Sequence, residues 1–235
     1  MSAFDELEKI KKTGLPQILV LYGEEEDIVQ ELKSRLLEYI HFDSTDLGQA
    51  YFDLNNANAN LALEELESLP FFVEKKLVIL ENLTNLTTVK KSVFDEKQTT
   101  RFENFLNDPV ETTQVILILH GKLDSRLKLT KKLKTQATLL EAQELKPQEL
   151  NRVVAETGLS GNILQRVFEK SNFSFPVIKQ NISLLKTYVG EREITLDDVE
   201  KVVPKSLQDN IFLLTDLILK SEVAQARDLV HDLTL

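Results

Sequence analysis

Glu67-Ser-Leu-Pro-Phe-Phe-Val-Glu-Lys-Lys-Leu-Val-Ile-Leu80 contains a helix end, a corner and a strand in one short stretch. Leu61, Leu63, Leu66 and Leu69 recur at helical spacing, which predicts a helix over about Asn58–Leu69. Pro70 stops it, because proline has no N–H and disfavours helical geometry in the residue before it. Phe71 and Phe72 then occupy a corner where polar turn residues are usual. Lys75 and Lys76 lead into Leu77-Val-Ile-Leu80, an apolar run that reads as a buried strand over Lys76–Glu81. Corners lie at surfaces, and neighbouring side chains point in different directions. Residue types leave two readings of the Phe pair: it closes the core, as Phe commonly does, or it is an exposed apolar knob that anchors a partner.

Outward from this stretch, strands and helices alternate. Residues 4–12 predict a helix, Gln17–Tyr22 a strand, and Ile28, Val29, Leu32, Leu36, Leu37 and Ile40 the apolar stripe of a second helix. Glu24, Glu25, Glu26 and Asp27 are expected in that helix's first turn, where negative charge suits the dipole. Further strands are expected at Gln49–Leu54, Gln114–His120 and Thr138–Glu141, with helices near Thr99–Leu106 and Arg126–Lys134. The run Gln114-Val-Ile-Leu-Ile-Leu-His120 is apolar almost throughout, so it is central and covered on both faces. The alternation predicts an α/β fold with a parallel sheet.

After Lys146-Pro147 the pattern is helical only: Pro147–Glu156, Ser160–Lys170, Phe175–Tyr188, Thr195–Val203 and Asn210–Lys220, with Thr195 as an N-cap. Thr234-Leu235 falls inside a helical pattern with no capping signal, which predicts that the native chain continues and is heavier than 26.8 kDa.

The chain has 235 residues, 42% hydrophobic and 28% charged, a globular composition. It lacks cysteine, which excludes disulfides and thiol chemistry and fits a reducing compartment. No signal-peptide pattern opens it, and no apolar run approaches the roughly 20 residues of a membrane span. A net charge of −10 excludes nucleic-acid binding by bulk electrostatics. His41, His120 and His231 have no metal-type spacing and read as structural or surface residues, so no metal site is expected.

A sheet followed by helices raises the question of a nucleotide site. The phosphate loop belongs between the first strand and its helix, because backbone N–H groups and a lysine must meet phosphate there. That place reads Gly23-Glu24-Glu25-Glu26-Asp27: one glycine, no lysine, and acids where an anion would sit. Glu81, at the end of the third strand, has the place of a magnesium-holding acid, with no phosphate for the metal to bridge. No catalytic residues and no cofactor are expected.

Several stretches in order along the whole chain, Val20-Leu-Tyr-Gly-Glu-Glu-Glu-Asp27, Leu66–Leu80, Val115-Ile-Leu-Ile-Leu119, Leu196-Asp-Asp-Val-Glu200 and Asn210-Ile-Phe-Leu-Leu-Thr-Asp-Leu-Ile-Leu219, together resemble the delta subunit of the bacterial DNA polymerase III clamp loader. The resemblance implies an AAA+-like domain without nucleotide binding over 1–143, a small helical lid over 144–206, and the start of a truncated helical collar over 207–235. It implies a cytoplasmic, nucleoid-associated subunit of the polymerase holoenzyme that binds and opens the sliding clamp (the beta subunit) without hydrolysing ATP. The gamma/tau and delta-prime subunits would be its neighbours through the collar, and primed DNA would be reached through the assembled loader. The absence of cysteine separates the chain from those neighbours, which usually carry a zinc module.

Carried over by position, the clamp-binding residues are Leu69, Pro70, Phe71 and Phe72. The best-known family pattern has Leu-Phe as anchors; Pro-Phe-Phe here shifts that role to Phe71 and Phe72. The basic run Arg126, Lys128, Lys131, Lys132 and Lys134 is either a solvated helix face or a contact for DNA phosphates. The rival readings are a passive AAA-like scaffold or adaptor with the Phe pair in its core, and an NTPase with a degenerate loop.

Overall fold

A computed structural model describes residues 2–89 and 92–204 and, in the last stretch, residues 215, 217–220, 222, 223, 225, 227 and 230. The chain divides into two compact units, Met1–Glu144 and Leu145–Leu235.

The first unit alternates α1 (Ala3–Thr13), β1 (Ile18–Gly23), α2 (Glu26–Tyr39), β2 (Gln49–Asp53), α3 (Ala59–Glu67), β3 (Lys76–Glu81), α4 (Glu96–Asn107), β4 (Thr113–His120), α5 (Lys128–Gln136) and β5 (Thr138–Ala142). The strands form one sheet in the order β2-β3-β4-β1-β5, and every pairing is parallel. Strand alternation sorts the buried residues into two layers. Val20, Val78, Leu80, Val115, Leu117 and Leu119 pack with Leu63 and Leu66 of α3, Phe102 and Phe105 of α4 and Leu133 of α5. Leu19, Leu21, Ile79, Ile116 and Ile118 are equally buried and point the other way, to the side where α1 and α2 pack. The α/β, parallel-sheet expectation therefore describes this unit.

Four of the element boundaries that differ from the sequence reading bear on the candidate sites. Helix α3 stops at Glu67, so Leu69 and Pro70 lie beyond it. Helix α4 starts at Glu96 rather than Thr99, because Asp95 and Gln98 form a capping box that satisfies the first N–H groups. Helix α5 starts at Lys128, leaving Arg126 in the preceding turn. Helix α2 starts at Glu26, so Glu24 and Glu25 precede its first turn.

In the second unit, α6 (Pro147–Val153) gives way to a 3-10 turn at Ala155–Thr157, and α7 (Gly161–Lys170), α8 (Phe175–Val189) and α9 (Leu196–Val202) follow. Val167 and Phe168, Ile178 and Leu185, and Val199 are among the most deeply buried residues of these three helices. Thr195 caps α9 as its sequence indicated, in a capping box with Asp198. The Arg192 guanidinium donates to both Asp198 oxygens, at 2.6 and 2.7 Å. Buried Lys170 donates to the carbonyls of Val199 and Glu200, at 3.1 and 3.3 Å, in the last turn of α9. The expected helix at Asn210–Lys220 and the expected collar over 207–235 lie largely outside the described residues.

Candidate functional site

The α3–β3 corner is built on a short helix. Asn58 caps its start and Ala62, Leu63 and Leu66 bury its inner face. After Glu67 the backbone turns extended, with the Ser68 N–H donating to the Glu64 carbonyl. Leu69 is 64% exposed, Phe71 88% and Phe72 83%, while Pro70 is half-buried. The two rings are therefore outside the core, and the core reading of the pair does not hold.

Three contacts tie the base of this corner. The Lys76 ammonium, on a residue only 4% exposed, donates to the Glu65 carbonyl, to the Glu65 carboxylate at 3.1 Å and to the Ser68 hydroxyl at 2.6 Å. Arg101 of α4 donates twice to the Glu67 carboxylate, at 3.1 and 2.6 Å. Half-buried Val73 lies against Gly48, where a Cβ would come within 3.1 Å of a Val73 methyl. The residue before that glycine, Leu47, is 80% exposed, so a further large apolar side chain joins Leu69, Phe71 and Phe72 near this end of the sheet.

At the carboxyl ends of the strands, where open α/β sheets bind ligands, the protein's own side chains are bonded to one another. Glu81 ends β3, His120 ends β4, and Gly23 ends β1 in register with His120. Lys33 of α2 donates to both Glu81 oxygens at 2.8 Å, and the Tyr51 hydroxyl bonds to the same carboxylate. His120 bridges Glu81 at 3.0 Å through Nε2 and Glu26 at 2.7 Å through Nδ1. A carboxylate at each nitrogen favours the imidazolium form, and the His120 pKa is raised, first by the Glu81 bond. Burial alone would raise the Glu81 pKa; the bonds from His120, Lys33 and Tyr51 outweigh it and hold the carboxyl at about 2. Burial, then the Glu81 bond, pushes Tyr51 up to about 12. Among the described residues no group of three acidic or histidine side chains is arranged to hold a metal. Gly23 is needed for close packing: a Cβ there would fall 2.2 Å from the Ala142 carbonyl oxygen of β5. Glu24 pairs with Lys122 at 2.6 Å; Glu25 is the N-cap residue of α2 and its side chain bonds no N–H; Asp27 sits in the helix's first turn.

The basic run is partly engaged within the protein. Arg126 pairs with Asp124 at 2.6 Å, Lys128 with Glu103, Lys132 with Asn107, and Lys134 with Ser125 at 2.8 Å. Lys131 is exposed. Lys128, Lys131 and Lys132 share one face of α5 by their spacing, whereas Arg126 and Lys134 do not join it.

Lys33, Tyr51, Lys76, Arg101 and Leu47 were not marked by sequence reasoning. The signal for Lys76 was a charge opening an otherwise apolar strand. Lys33, Tyr51 and Arg101 reach their partners only through the fold.

The profile of the family described as DNA polymerase III, delta subunit, matches residues 19–143. The chain is 33% identical over 239 aligned positions to the DNA polymerase III subunit delta of Bacillus subtilis, covering 98% of this chain and 69% of that one. The solved Bacillus subtilis DNA clamp loader delta protein (YqeN) matches with a TM-score of 0.68 at 31% identity, over 99% of this chain and 71% of that one. RuvB of Thermotoga maritima, with a TM-score of 0.51 at 12% identity over 99% of this chain and 80% of that one, shares the fold alone.

Proposed function

The chain belongs to the DNA polymerase III delta-subunit family, and from that premise we propose that it binds the replicative sliding clamp through the Leu69–Phe72 corner and favours the clamp's open form. It serves as a clamp-loader subunit in chromosome replication, in the cytoplasm at the nucleoid. The observation that carries this reading is the exposure of two adjacent rings, Phe71 at 88% and Phe72 at 83%, on a corner tied at its base. Concentrated apolar anchors of this kind are what interface hot spots are made of. Burying two Phe side chains contributes about 3–6 kcal/mol, of which association entropy offsets a part. Leu69 and Pro70 flank the anchors and shape their approach.

Opening requires only that the subunit bind the open ring better than the closed one, which shifts the clamp's population. ATP is then the business of the neighbouring gamma/tau subunits, held with delta-prime through the collar. In this chain, acids stand where phosphate would sit, and Glu81 is committed to Lys33, Tyr51 and His120.

The test is surface plasmon resonance against the cognate clamp, without nucleotide, with Phe71→Ala/Phe72→Ala alongside. The expected result is binding by the native chain and none by a double variant with an unchanged melting curve. Equal affinity in the two proteins would sink the site. A native chain that does not bind the clamp would leave the adaptor reading, and saturable ATP binding by calorimetry would restore the NTPase reading.

A further inference from the structure

We infer that Lys76 is a positioning residue for the Leu69–Phe72 corner: its buried ammonium clips the last turn of α3 to the start of β3, so that Phe71 and Phe72 stand outside the core before a partner arrives. The inference rests on the reading of that corner as the clamp anchor.

All six residues of β3 are buried, and an apolar residue at its first position would serve the sheet as well. A buried ammonium is costly unless it is fully bonded. The acceptors of Lys76 all come from one short segment, Glu65 and Ser68, immediately before the corner. One is a main-chain carbonyl in the last turn of α3, a group left without an intrahelical partner and favoured by positive charge. The bonds join the two ends of the segment 69–75 and close it into a loop with a fixed base. Arg101–Glu67 holds that base from the side, and Val73 within the loop lies against Gly48. Lys170 makes the same kind of contact on the last turn of α9. The two buried lysines among the described residues therefore both fasten helix ends, and only Lys76 fastens one that leads into two exposed rings.

A residue 4% exposed makes no contact of its own with a docked partner, so its loss acts through the corner. Freed at the base, 69–75 would spend only part of its time in the binding conformation, and apparent affinity falls by that fraction. The cost then lies in the association rate, whereas a lost contact would raise the dissociation rate.

The experiment measures both rate constants of the full chain with the cognate clamp by surface plasmon resonance, for the native protein, Lys76→Met and Phe71→Ala/Phe72→Ala, with amide hydrogen exchange of each. For Lys76→Met we expect association slowed about five- to tenfold with dissociation within about twofold, and faster exchange in 69–75 with 77–81 unchanged. Native association and native exchange in Lys76→Met would overturn the clip, as would an effect confined to dissociation. Undiminished binding by the Phe double variant would instead overturn the anchor reading beneath it. If Lys76→Met does not fold, Ser68→Ala decides, since it removes one acceptor: association slowed about two- to threefold supports the clip, and an unchanged rate overturns it.

Discussion

Glu81 shows how one residue type changes its role with its neighbours. It ends β3 in the place of a magnesium-holding acid, yet Lys33, Tyr51 and His120 occupy both of its oxygens. Glu81→Ala would leave Lys33 and His120 without their shared counter-ion, and we expect a loss of about 3 kcal/mol in denaturant titration. The same cluster sets a pH dependence. His120 has a folded-state pKa above its ordinary 6.5, so its contribution is complete below pH 6.5 and is lost as pH rises through the raised value. Glu81 runs the other way: held at about 2 against an ordinary 4.5, its contribution is present above pH 4.5 and lost as pH falls toward 2. The melting temperature should therefore decline as pH rises above 6.5, and His120→Asn should flatten that decline. A native melting curve flat across this range would show that the imidazolium adds nothing. None of this cluster was legible in the sequence, because Glu26, Lys33, Tyr51, Glu81 and His120 meet only through parallel register and the α2 face. The corner itself was legible from Pro70 and the two rings after it, but residue types alone left the Phe pair open between core and exposed knob, because a corner ring can fold inward or stand out with the same neighbours in sequence.

At the scale of elements, the strands were read well because fully covered parallel strands are short apolar runs, as in Val115–Leu119. Helix starts were read less well. The first apolar residue of α4 to face the core, Phe102, comes a turn and a half after Glu96, so apolar spacing alone places the start too late. The Asp95–Gln98 capping box was the missed signal. Phe102 is fully buried between α3, α4 and the sheet, and Phe102→Ala is expected to cost about 3–5 kcal/mol. The surface of α5 offers a separate test. Lys128, Lys131 and Lys132 share a face, and the DNA-phosphate proposal holds that this face touches primer–template in the assembled loader. Reversing the three charges should then flatten the salt dependence of DNA binding by the loader, while an unchanged salt slope would leave a solvated face engaged with α4 through Glu103 and Asn107.

Across the whole molecule, the two units Met1–Glu144 and Leu145–Leu235 each bury their own apolar residues. Residues 1–144, produced alone, should give a cooperative melting transition; a broad, non-cooperative one would mean that this unit is not self-sufficient. The corner and the polar cluster sit at opposite ends of β3, about 17 Å apart by strand rise, so changing one need not disturb the other. The sheet order has a further consequence, for synthesis. Strand β1 pairs only with β4 and β5, Ile18 opposite Val115 and Leu19 opposite Thr138. The first strand to leave the ribosome thus has no partner until its neighbour, 97 positions later (115 − 18), has been made. At about 5–20 residues per second this amounts to roughly 5–20 s with Ile18-Leu-Val-Leu-Tyr22 uncovered in the nascent chain. For that interval a segment that ends up flanked by strands on both sides is a substrate for whatever holds unfolded chains apart.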